Sequence, residues 1–120
     1  MLSLIVLRTS QIEASLTFYR ALGFSFTEEK HGAGPIHHST QLGSTVLEIY
    51  PGEPASLINR KGSGATTLGF SVDSIDSVIF QVRDLGLQVI TGPSDSPWGR
   101  RAVVPDPDGR GIELSEIKKT

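Results

Sequence analysis

Residues Ser10 to Phe26 read SQIEASLTFYRALGFSF, and the 120-residue chain contains the same unit twice. Displacing the sequence against itself by 63 positions lays Ile12 on Ile75, Leu16 on Ile79, Tyr19 on Val82, Arg20 on Arg83, Leu22 on Leu85, Gly23 on Gly86 and Phe26 on Val89. Self-similarity at one fixed offset is the mark of a repeated structural unit. Each copy reads as an amphipathic helix running into a strand. In the first, Ser10 suits an N-cap and Glu13, three residues on, completes a capping box. Ile12, Leu16, Tyr19 and Leu22 then form one apolar stripe beside the small Ser15, and Gly23 ends the helix. In the second copy Asp73 or Ser74 caps, Ile75, Val78, Ile79, Val82 and Leu85 form the stripe, and Gly86 closes it. Each stripe needs a sheet to cover.

The flanking segments supply that sheet. Leu2 to Arg8 is apolar and β-prone, and Phe24 to Glu29 alternates apolar with polar residues. Lys30 to Gly34 is a turn, and Ile36 to Leu42 and Thr45 to Tyr50 flank Gly43-Ser44, a two-residue hairpin signal. The first module is therefore βαβββ over residues 1–50. Residues 51–64, PGEPASLINRKGSG, are rich in Pro, Gly, Ser and charge and read as a linker. Residues 65–120 repeat the pattern, with strands at Thr66 to Val72, Leu87 to Thr91, Arg100 to Val104 and Gly111 to Ile117. Gly92 to Gly99 reads as a loop, and Asp106-Pro107-Asp108-Gly109 as the last hairpin turn. Phe18, Tyr19, Phe24, Phe26, Phe70 and Phe80 are assigned mostly to core faces.

Bulk properties narrow the function. A length of 120 residues suffices for one domain with a real core, whereas either module alone would be marginal. A net charge of −2 gives no attraction to nucleic acid or anionic membrane. The absence of cysteine excludes disulfides, thiolate metal sites and a thiol nucleophile. Met1 to Leu7 lacks a basic leader and is far too short to span a membrane, so it reads as a strand of a cytoplasmic protein.

Two βαβββ modules, the helix text SLTFYRALGF and the closing DPDGRGIEL together resemble the vicinal oxygen chelate superfamily. That family includes glyoxalase I, the fosfomycin and bleomycin resistance proteins, methylmalonyl-CoA epimerase and the extradiol dioxygenases. The resemblance implies an α+β fold in which mixed, curled sheets surround a cavity with helices outside, and it implies a homodimer. It also implies metal ligands at four strand positions, which fall on Leu4, Glu48, Thr67 and Glu113. Leu4 and Thr67 stand where the family has histidines, so no metal is expected; any divalent ion would rest on Glu48 and Glu113, which otherwise face solvent or pair with arginine.

The residues offer further candidates. If Gly43-Ser44 is the turn, Ser39 lies opposite Glu48, His37 opposite Tyr50 and Gln41 opposite Val46, all on one face. His37 is then diagonal to Glu48, placed as a hydrogen-bond partner, a relocated metal ligand or a general base, with His38 on the other face. SPWGRR resembles a PWG-x-R text of resistance-type members: Trp98 offers a stacking face, and strand alternation lets one of Arg100 and Arg101 face inward. The expected ligand-binding set is thus His37, Ser39, Glu48, Tyr50, Trp98, Arg100, Arg101 and Glu113. The leading expectation is a metal-free protein that captures an amphipathic small molecule. The alternative is a divalent-metal-dependent lyase, isomerase or epimerase using Glu48, Glu113 and a third group such as His37.

Overall fold

The computed structural model describes residues 1–54, 66–97 and 99–116. The chain divides into two compact units, Met1–Pro54 and Ala55–Thr120. Most of the expected linker, and Trp98, lie outside the described residues.

In the first unit β1 (Leu4–Thr9) leads into α1 (Ile12–Ala21), followed by β2 (Thr27–Glu29), β3 (His37–Leu42) and β4 (Thr45–Pro51). The sheet order is β1-β4-β3-β2, with β1 parallel to β4 and the remaining pairs antiparallel. The second unit repeats it with β5 (Leu68–Val72), α2 (Ile75–Asp84), β6 (Thr91–Ser96), β7 (Gly99–Pro105) and β8 (Gly111–Glu116), ordered β5-β8-β7-β6. The fold is α+β, two βαβββ modules each with a four-stranded mixed sheet.

The core of each module follows from the two periodicities. Leu16, Phe18, Tyr19 and Leu22 of the first helical segment are buried, as are Leu47 and Ile49 of β4. Phe18 and Tyr19 meet edge to face, with centroids 4.9 Å apart. In the second unit Ile75, Val78, Ile79 and Val82 are buried, with Ala102 and Val104 of β7 and Ile112 and Leu114 of β8. Because strand side chains alternate, the other face carries Val46, Glu48 and Tyr50 in one module and Arg101, Val103, Glu113 and Ser115 in the other, all only partly covered. Of the functional candidates, Glu48, Tyr50, Arg101 and Glu113 sit on these faces.

Several details depart from the sequence expectations. The residue preceding α1 is Gln11, with no side-chain cap; instead Thr9 Oγ1 accepts the Gln11 N–H at 3.0 Å and bonds Ser15 Oγ at 2.8 Å. At α2 the expected cap is present, Ser74 Oγ accepting the Ser77 N–H at 3.1 Å. Gly23 and Gly86 end the helical segments at φ +106° and +80°, values a side chain would disfavour. The strand expected at Leu87 to Thr91 lies further on, over Thr91–Ser96, where pairing to β7 overrides a Gly-Pro-Ser-Asp composition that reads as loop. Phe80 is 73% exposed on the outer face of α2, not core.

Candidate functional site: two glutamate-centred clefts

In the first module the register is the one set by the Gly43-Ser44 turn: Ser39 pairs with Glu48, Gln41 with Val46 and His38 with Ile49. Val6 of β1 flanks Glu48 from the other side. His37 lies two residues from Ser39 on the same face, and its ring stacks on Tyr50 with centroids 4.2 Å apart and planes 6° from parallel. β2 adds Glu29 directly opposite His37. An open cleft of about 700 Å³ is lined by Phe24, Glu29, His31, Ser39, Gln41 and Glu48 among others.

His37 is the unusual group here. It is 1% exposed, and its Nδ1 lies 3.3 Å from the Pro35 carbonyl oxygen, which can only accept a hydrogen bond. That contact requires Nδ1 to be the donor and turns Nε2 toward the cleft. Nε2 stands 3.4 Å from Glu48 Oε2 and 3.7 Å from Glu29 Oε1. Neither contact is a hydrogen bond, so Nε2 is the one buried side-chain polar atom without a hydrogen-bond partner among the described residues. A buried polar atom left without a hydrogen bond is costly.

In the second module Glu113 is flanked by Gly69 of β5 and Val103 of β7. Arg101 pairs with Glu113 through Nη2 and Oε1. Both line a cleft of about 350 Å³ with Gly69, Phe70, Ser71 and Ser115. Arg100 points to the helix side, where its Nη1 lies 3.0 Å from Asp76 Oδ2 and 3.8 Å from Glu116 Oε2. Glu116 Oε2 also accepts the Ile75 N–H at 3.1 Å, at the positive end of α2. The hydrogen bond from Arg100 holds the Asp76 carboxyl below its ordinary value, and Asp76 in turn raises the guanidinium.

The structure thus brings His37, Ser39, Glu48 and Tyr50 together and joins Arg101 to Glu113. Arg100, a ligand-binding candidate from sequence, lies on the helix side and joins β7 to Asp76 of α2 and Glu116 of β8. Sequence reasoning missed Glu29 and His31. The signal existed: pairing residues about the His31–Pro35 turn places Glu29 opposite His37, but that turn has no two-residue hairpin signature from which to count.

Paired βαβββ modules with polar clefts on their sheets define a class before any name does. Residues 2–114 match the profile of the Glyoxalase/Bleomycin resistance protein/Dioxygenase superfamily, and the chain belongs to that family. An uncharacterized protein of Mycolicibacterium smegmatis is 28% identical over 109 residues, 91% of this chain and 87% of its own. Among solved structures, a glyoxalase-related enzyme from Fulvimarina pelagi shares the fold with TM-score 0.71 and 20% identity, covering 98% of this chain and 88% of its own. TnmS3, an antibiotic binding protein from a Streptomyces species, has TM-score 0.66 and 24% identity over 98% and 96%. At such identities these structures speak to the fold alone.

At the four positions implied for metal by family resemblance, two side chains are carboxylates and neither of the other two is an imidazole. Leu4 is 49% exposed opposite Val46 and has no donor atom, and Thr67 lies just before β5 with only a weakly coordinating hydroxyl. Glu113 is held by Arg101.

Proposed function

We propose that this protein captures an amphipathic small molecule on its sheet faces, as a binding protein of the resistance or sequestration type. The observation that carries the reading is the open cleft of about 700 Å³ on the first module, a volume in the range of small-molecule sites, where Phe24 supplies an apolar wall and Ser39, Gln41 and Glu48 supply polar groups. Arg101 in the second cleft offers a guanidinium for a polar or anionic ligand group. The resemblance to TnmS3 supports the same direction. Leu4 and Thr67, together with the Arg101–Glu113 pair, weigh against the alternative of a lyase, isomerase or epimerase using Glu48 and Glu113 as metal ligands. The homodimer and cytoplasmic setting expected from the sequence belong to this proposal, and light scattering measures the former against the 12.9 kDa chain mass.

Titration calorimetry with bleomycin and a panel of aromatic, hydrogen-bonding antibiotics tests it. The expected result is saturable binding by a panel member that Ser39→Trp, which fills the cleft, weakens at least tenfold, about 1.4 kcal/mol. A panel that gives no heat at saturating concentration, or binding indifferent to both Ser39→Trp and Arg101→Ala, overturns the reading.

A further inference from the structure

The geometry points to a divalent metal site of zinc type in the first module, formed by Glu29, His31 and His37, with Glu48 beside His37 as a further carboxylate that shifts to join them. One ligand atom from each of Glu29, His31 and His37 lies within 4.8 Å of the others. The second, independent observation is the buried Nε2 of His37, which has no hydrogen-bond partner and faces the Glu29 and Glu48 carboxylates. Its other ring nitrogen donates to a backbone carbonyl, the arrangement by which metal-binding histidines are fixed in tautomer and orientation.

Distances favour a first-row cation over a hydrated hard one. In a tetrahedron with metal–ligand bonds near 2.1 Å, ligand atoms lie about 3.4 Å apart. The separations of 3.4 Å from Nε2 to Glu48 and 3.7 Å to Glu29 are of that size, too long for a good hydrogen bond and right for two ligands sharing an ion. Two imidazoles and two carboxylates suit zinc, nickel or cobalt better than magnesium or calcium, which prefer an all-oxygen shell. Burial explains the asymmetry of the set. His37 is locked between Tyr50 and the Pro35 carbonyl, whereas His31 is exposed and needs only a side-chain adjustment to close on the ion. Among the described residues the second module has no such cluster, and Arg101, whose guanidinium has no lone pair to give, fills the corresponding place.

This site does not depend on the ligand-capture reading, and its test contains no organic ligand. Untagged full-length protein is stripped with chelator and titrated with zinc chloride by calorimetry, and with cobalt(II) by visible absorption. The expected result is one metal per chain, with cobalt bands of tetrahedral intensity. His37→Ala removes a buried ring and can fail to fold, so the more accessible positions carry the test. His31→Ala and Glu29→Gln weaken zinc by at least the ~10–100-fold that loss of an outer partner costs, while His38→Ala on the opposite face leaves it unchanged. No heat and no cobalt bands, or an affinity unmoved in both His31→Ala and Glu29→Gln, overturns the assignment.

Discussion

Arg100 and Arg101 are neighbours whose side chains leave β7 on opposite faces, and that single step of alternation gives them different partners. Arg100 lowers the pKa of Asp76, so the folded state keeps the Asp76 carboxylate charged below the pH at which an unfolded chain would protonate it. The stabilisation is fully present above the ordinary value of 3.8 and is lost as pH falls further, through the depressed folded value. Asp76→Asn is therefore expected to lower the melting temperature slightly at neutral pH, with the difference from wild type closing at pH below 3.8. A deficit that instead grows on acidification contradicts the pairing. Arg101 behaves differently. Arg101 and Glu113 are 41% and 34% exposed, and surface pairs contribute about 0–1 kcal/mol, so Arg101→Ala should cost at most about 1 kcal/mol in urea unfolding while weakening ligand capture.

At the scale of elements, the two helices begin by different devices. At α2 the cap is the local Ser74, and Ser74→Ala should cost about 1 kcal/mol in chemical denaturation. At α1 the work falls to Thr9 on the preceding strand, buried with Ser15, so Thr9→Val strands a buried hydroxyl and should cost about 1–3 kcal/mol. Equal, small losses in the two variants contradict this division. The same contrast shows what was legible in sequence. The helices, the order of strands and the β3–β4 register could be read because stripe spacing, terminal glycines and the Gly43-Ser44 turn are local signals that agree with the fold. The true capping of α1 could not, because Thr9 and Ser15 meet only once strand and helix pack. Nor could β6, whose residues have poor strand propensity and are held in the ladder by β7. Of the site, the face shared by His37, Ser39, Glu48 and Tyr50 followed from counting about one turn. Glu29 and His31 depend on a second turn whose register only the folded sheet displays.

At the scale of the whole molecule, the repeat extends from the helices to the chemistry. Val6 pairs with Glu48, and Gly69, 63 positions later, pairs with Glu113. In each module the glutamate on the open face meets a nitrogen base lying diagonally across on the adjacent strand, His37 from β3 and Arg101 from β7. One architectural slot has thus been filled by an imidazole, a side chain able to ligate a metal, and by a guanidinium, which is not. The consequence is testable with the glutamates themselves. Under the metal assignment, zinc at a hundredfold excess over its Kd stabilises the folded chain by about 2.7 kcal/mol. Glu113→Gln should retain that zinc-dependent rise in melting temperature, since the second slot takes no part in it. Glu48→Gln should lose most of it, because a neutral amide beside Nε2 is a far weaker ligand than a carboxylate. Melting curves with and without zinc separate these outcomes, and equal responses in the two variants would mean that the duplicated glutamates are interchangeable after all.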